Sequence, residues 1–198
     1  MVASLRIAIA DDERYVREYF RELMPRLGHQ VILAEGGRQL ADQCRLLQPD
    51  LAITDVRLPD MDGIAVAAEV NRTRPTPFIL VSGYCDAEVL ARAEADHIVA
   101  YLVKPVKQLD LEAALSLGLS RWKRLQALSR EAAGLRQSLE ERKLIERAKG
   151  TVMARVGVPE AEAFRRLRKL SSNGNRKLVD IAQEVLTAEE IFHVLESC

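Results

Sequence analysis

Residues 51–63 read LAITDVRLPDMDG. The apolar run at 51–54 is too short for a helix, and Asp55 follows it directly. Four other runs share its form: LRIAIA at 5–10, VILA at 31–34, FILVS at 78–82 and IVAYLV at 98–103. They are short and rich in Ile, Val and Leu, so all five read as buried strands. Segments near 14–27, 37–47, 64–72 and 86–95 carry apolar residues at helical spacing. Five strands alternating with helices imply a parallel sheet covered on both faces. Right-handed crossovers of this length lead to a doubly wound α/β fold, and its flavodoxin-like strand order is 2-1-3-4-5.

Polar groups stand at the ends of four of these runs. Asp11 and Asp12 follow the first, Asp55 the third and Lys104 the fifth, and Ser82 closes the fourth. Open α/β sheets bind ligands outside the C-terminal strand ends, where the strand order reverses. In the order 2-1-3-4-5 that point lies between the first and third strands, so Asp11, Asp12 and Asp55 converge. Three carboxylates repel one another and require a cation. A hard divalent ion such as Mg2+ takes oxygen ligands and keeps waters for a phosphate. Lys104 adds a point charge suited to a phosphoryl oxygen, Ser82 a hydroxyl, and Gly83 leaves room beside it.

The chain has 198 residues, of which 48% are apolar and 29% charged, enough for a sizeable core. No run of about 18 apolar residues exists to span a membrane. The start, MVASLRIAIADD, reaches two acids too soon for a signal peptide. Cys44, Cys85 and Cys198 lack metal-ligand spacing and fit a reducing cytoplasm. Net charge is zero but unevenly placed. Residues 1–118 carry 13 Lys and Arg against 18 Asp and Glu, whereas 142–180 carry 11 against 4. An acidic front and a basic rear suggest modules with different partners.

From 109 to 148 helix formers dominate without proline. Leu125, Leu128, Ala132, Leu135 and Leu139 form an a/d-like seam, which allows self-pairing into a homodimer through this linker. Pro159 marks a helix start, with Ala163, Phe164, Leu167 and Leu170 on one face. SSNGN at 171–175 reads as a turn, 177–186 as a third helix, and TAEE at 187–190 as a capping box opening a last one. The division is 1–118 for the α/β domain, 119–141 for a linker helix and 142–198 for a small all-α bundle.

The segments IAIADDE (7–13), LAITDVRLPDMDG (51–63), LVSGY (80–84) and AYLVKP (100–105) resemble the receiver domain of two-component response regulators. The resemblance implies that Asp55 is the phosphoacceptor for a sensor histidine kinase. It implies Mg2+ on Asp12, Asp55 and the Arg57 backbone carbonyl, with Asp11 acting through water. It gives Ser82 and Tyr101 the switch positions, Lys104 a contact to phosphoryl oxygens, and Pro105 a preceding cis peptide. The basic stretch at 146–186 resembles the ANTAR domain, the RNA-binding module of response-regulator antiterminators. Ala148-Lys149-Gly150, Met153, Gly157, Glu162-Ala163, Leu167-Arg168 and Ile181-Ala182 carry this likeness. Ser171-Ser172 departs from the family's usual Ala-Met pair.

Together these imply a phosphorylation-controlled antiterminator that binds hairpins in nascent transcripts. Lys149 and Arg168 lead the candidate RNA contacts, with Arg165, Arg166, Lys169, Arg176 and Lys177 as a basic surround. Phe164 shares the apolar stripe and reads as core. The alternative is a DNA-binding regulator with the same receiver, but no helix-turn-helix pair with a polar reading helix stands out. An enzyme is disfavoured, since the last 57 residues hold one histidine, His193, and no Gly-rich or metal motif.

Overall fold

The computed structural model describes residues 4–83 and 97–196. The helix expected at 86–95 lies outside these residues, as do Tyr84, Cys85 and Cys198. The elements run β1 (Arg6–Ala10), α1 (Arg14–Arg26), β2 (Gln30–Ala34), α2 (Gly37–Leu47), β3 (Leu51–Asp55), α3 (Gly63–Thr73), β4 (Phe78–Ser82) and β5 (Ile98–Val103). Helices α4 (Gln108–Val156), α5 (Glu160–Gly174) and α6 (Leu178–Glu196) follow. The strands form one parallel sheet in the order β2-β1-β3-β4-β5.

Successive strand residues point to opposite faces, and the two faces are built differently. Ile7, Ile9, Leu51, Ile53, Ile79 and Val81 meet α1 and the first turns of α4, against Phe20, Met24, Leu111 and Leu115. The other face carries Ala8, Ala10, Ala52 and Phe78 against Leu40, Cys44, Val66 and Val70 of α2 and α3. Each fully buried aliphatic side chain contributes about 1.5–3 kcal/mol, so these two layers carry the stability of the sheet. Burial pushes the Cys44 thiol up to about 11, which keeps it a protonated packing group.

The chain divides into two compact units, Met1–Gln126 and Ala127–Cys198. Helix α4 is a single helix of 49 residues, about 73 Å of rise, and passes unbroken through both divisions read from the sequence. It also runs past Ala148 to Val156. Gly157, at φ +68°, ends it by donating its N–H to the Met153 carbonyl at 3.0 Å.

The second unit closes on a small core of Ala148, Leu167, Ile181, Ala182 and Leu186. Three expectations are corrected here. Residues 171–174 are the last turn of α5, not a turn between helices. That helix ends only at Asn175, whose φ of 49° lets Arg176 N–H reach the Ser171 carbonyl at 3.0 Å, while Ser171 Oγ donates to the Arg176 carbonyl at 2.6 Å. Thr187 opens no helix: its Oγ1 donates to the Gln183 carbonyl at 2.9 Å, and α6 runs straight through. Phe164 and Leu170 leave the core to Ala163 and Leu167 and are exposed.

Candidate functional site

The parallel register ends β1, β3, β4 and β5 at one edge. Ala10 pairs with Thr54, Asp55 with Val81, and Ser82 with Val103. Lys104 N–H donates to the Ser82 carbonyl at 2.9 Å, which fixes the two outer ends together. Asp12, Glu13, Asp55, Arg57, Ser82, Gly83 and Lys104 line one open cleft of about 270 Å3. The peptide between Lys104 and Pro105 is cis.

Lys104 organises the charge. Its ammonium bonds Asp55, reaches Asp11 Oδ2 at 2.9 Å and reaches Glu13 Oε1 at 3.0 Å. Burial alone would lower its pKa, but hydrogen bonds to Asp55, Asp11 and Glu13 together hold it above the usual lysine range. Burial raises the Asp11 carboxyl, against the pull of the Lys104 hydrogen bond. Glu13 is held low by hydrogen bonds from Tyr15 and Lys104. Backbone amides fix two of the acids: Arg57 N–H donates to Asp55 Oδ1 at 2.8 Å, and Glu13 N–H to Asp11 Oδ1 at 3.0 Å.

The carboxylates of Asp11, Asp12, Glu13 and Asp55 offer ligand oxygens within 4.8 Å of one another. One lysine cannot neutralise four carboxylates, and every donor is a hard oxygen. The set fits a divalent ion of the Mg2+ type. Glu13, half-buried here, is not among the residues expected from the sequence, because a single acid after an Asp-Asp pair carries no signal of its own.

Two further residues hold this site without touching its centre. Arg17 of α1 donates Nη1 to the backbone carbonyls of Asp11 and Asp12, at 2.9 and 2.8 Å, and Nη2 to Glu35 at 2.6 Å. Asp60, in the loop after β3, accepts from Gly37 N–H at 2.7 Å and Arg38 N–H at 3.1 Å. It thereby caps α2 from another element and ties down the loop that carries Arg57. Asp62 caps α3 through Ile64 N–H at 2.8 Å. At Gly63 a Cβ would lie 2.2 Å from the Asp55 carbonyl oxygen, so this position admits no side chain. Ser82 is buried at the end of β4, and Tyr101 is half-buried against Val56, Ile64 and Leu80.

The basic candidates of the second unit are unequally free. Lys149, the leading sequence candidate, is only 12% exposed and is used within the protein. It bonds Glu146 on its own helix and Glu160 of α5 at 2.8 Å, bracing α4 against α5. Arg165 and Arg166 share Glu162 at 2.7 and 2.8 Å, and Arg176 bonds Glu184 at 2.9 Å. Lys169 and Lys177 are exposed, and Arg168 lies over the Phe164 ring.

Comparison with known proteins agrees with this architecture. The response regulator receiver domain family matches residues 7–116, and the ANTAR domain family matches 133–186. Over 182 residues the chain is 34% identical to the transcriptional regulatory protein PdtaR of Mycobacterium tuberculosis strain ATCC 25618 / H37Rv, covering 91% of this chain and 89% of that one. A CheY-like receiver domain protein from Methanospirillum hungatei JF-1 superposes with a TM-score of 0.58 at 25% identity, covering 62% of this chain and 98% of that one. The receiver domain of an HD domain-containing protein from Pseudomonas fluorescens Pf-5 gives 0.57 at 26% identity, covering 61% and 98%. With its acidic strand-end site and its basic helical rear, the chain belongs to the response regulators in which a receiver domain controls an ANTAR domain, the RNA-binding module of transcription antiterminators.

Proposed function

We propose that Asp55 accepts a phosphoryl group from a histidine of a sensor kinase and that this acylphosphate controls RNA binding by the ANTAR unit, in the cytoplasm and without an enzymatic activity of its own. The observation that carries the reading is the Lys104 ammonium held at once by Asp55, Asp11 and Glu13 at the sheet edge. An Asp55 carboxylate oxygen attacks phosphorus. The P–N bond breaks, and its electron pair returns to the imidazole of the kinase. Asp12, Asp55 and the Arg57 carbonyl would hold Mg2+, with Asp11 behind a water. That ion supplies positive charge to the transferring oxygens. Lys104 exchanges carboxylate partners for a phosphoryl oxygen, and Ser82 moves toward the new group. Tyr101 turns inward along the Val56–Ile64–Leu80 cluster it already touches, which reshapes the outer face of β5.

The RNA face comprises Arg165, Arg166, Arg168, Lys169, Arg176 and Lys177, with Lys149 in a bracing role. The chain pairs with a second copy along α4. Leu125, Leu128, Leu135 and Leu139 keep the a/d spacing and stand exposed, Leu135 by 62%. Two bundles on one dimer gain affinity for paired hairpins through effective concentration.

The test is labelling by acetyl phosphate with Mg2+. Asp55→Asn abolishes it; an Asn variant that labels like wild type shows that Asp55 is not the acceptor. Beryllofluoride should tighten hairpin binding by roughly 5- to 150-fold, the usual range of two-site coupling. No change in either RNA affinity or mass would overturn the switch.

A further inference from the structure

The stripe read from the sequence puts Phe164 in the bundle core, but the folded chain leaves 37% of it exposed. Ala163 and Leu167 are the buried residues of α5. Phe164 and Arg168 stand one helical turn apart on the outer side. The Arg168 guanidinium lies over the ring, 6.0 Å from its centroid, at the outer limit of a cation–π contact. Such a contact is readily exchanged. The immediate neighbours, Arg165 and Lys169, are exposed cations. The acid one turn before the ring on the same side of α5, Glu160, is bonded to Lys149 at 2.8 Å, and Glu162 is committed to Arg165 and Arg166.

A second pair of the same type gives the contrast. Arg155 lies over Phe192 at 5.3 Å, but Arg155 is also bonded to Glu189 at 2.8 Å, and Glu190 follows it in sequence. An exposed ring in acidic surroundings is a poor seat for a polyanion. Around the ring on α5 the two acids are each paired with a cation, and Arg165, Arg168 and Lys169 stand exposed beside it.

We infer that Phe164 is a stacking platform for one unpaired nucleobase of a hairpin loop, and that Arg168 is its exchange partner. On binding, the base takes the place of the guanidinium over the ring, and Arg168 turns to the adjoining phosphate. This rests on the reading of the bundle as RNA-binding, and adds to it that the loop, not the stem, is gripped at this point. Stems keep their bases stacked on one another, whereas loop bases offer a free π-face to an aromatic side chain. The ring loses water-exposed apolar surface in the same step.

The experiment uses the full chain loaded with Mg2+ and beryllofluoride. Its probe is a stem-loop RNA enriched on wild type from a pool with randomised loops, carrying 2-aminopurine at each loop purine in turn. Phe164→Leu keeps apolar bulk and removes the π-face. It should weaken binding by about 5- to 150-fold. The loss should be the same at every salt concentration, because stacking releases no counterions. Arg168→Ala should instead flatten the slope of log affinity against log salt by about 0.7–0.9. Phe164→Tyr should restore affinity, and one loop position should lose its 2-aminopurine quenching in the Leu variant alone. Circular dichroism melting checks that the Leu variant remains folded. Wild-type affinity in Phe164→Leu, quenching that persists there, or failure of Tyr to restore binding would overturn the inference. If wild type enriches no RNA, it is the antiterminator reading that fails.

Discussion

In the receiver, four carboxylates and one ammonium are drawn to a single point; in the ANTAR bundle, ion pairs are scattered over an exposed surface. Lys104 is largely enclosed and faces Asp55, Asp11 and Glu13 together. The bundle instead pairs Arg165 and Arg166 with Glu162 three and four residues away, and Arg176 with Glu184. Gathering like charges costs desolvation and repulsion, which two thick apolar layers around the sheet can offset. Scattered surface pairs cost little and contribute little, so a phosphate can displace a carboxylate from an arginine at small expense. The bundle core, with three alanines among its six buried hydrophobics in the described residues, could not hold a receiver-type charge cluster. The unit with the stronger core carries the switch, and the unit with the looser ionic surface carries the reading of RNA.

The largest effects should come from the two cores. Ile53→Ala and Leu167→Ala each remove a buried aliphatic side chain and should cost about 2–5 kcal/mol. Urea unfolding followed by Trp122 fluorescence should respond to Ile53→Ala, since Trp122 belongs to the first unit. Leu167→Ala should move a transition seen by far-ultraviolet circular dichroism and leave the Trp122 signal in place. If both variants shift both signals together, the two regions form one cooperative body and the contrast collapses.

Next comes the gathered charge itself. Lys104→Met removes the resident cation from the carboxylates. Mg2+ affinity should rise on the order of tenfold while acetyl phosphate labelling falls. A calorimetric Mg2+ titration with unchanged or weaker affinity would show that Lys104 is not their counter-ion.

The smallest effect belongs to the scattered pairs. Hydrogen bonds from Arg165 and Arg166 hold the Glu162 carboxyl down at about 2, against an ordinary value of 4.5. A lowered folded-state pKa means that its contribution is complete above about 4.5 and is lost as the pH falls toward 2. Melting of the bundle between pH 5 and 2 should therefore decline less in Glu162→Gln than in wild type. Parallel declines would remove Glu162 from the account.

The sheet was legible because its rules are local and repeated. Each buried run fits a strand of five or six residues, and each functional group stands directly after or at the end of one, as Asp55 and Ser82 do. Helix ends were less legible, because partners elsewhere decide them. Residues 171–174 have poor helix propensity, yet α5 continues through them because Ser171 finds the Arg176 carbonyl. The TAEE pattern at 187–190 suits a helix start equally well as a helix interior, and α6 packs through it. Side-chain commitments were the least legible. Lys149 reads as a free cation until Glu160 arrives from another helix, and Asp60 reads as a turn residue until the amides of Gly37 and Arg38 are beside it.

Gly63 has a consequence for inheritance. Any missense change at that codon adds a Cβ where the Asp55 carbonyl oxygen already stands. A lineage can therefore lose phosphoryl signalling with every carboxylate and the lysine intact in its gene. A search for worn-out receivers that inspects only the acidic positions would count such a descendant among the living ones.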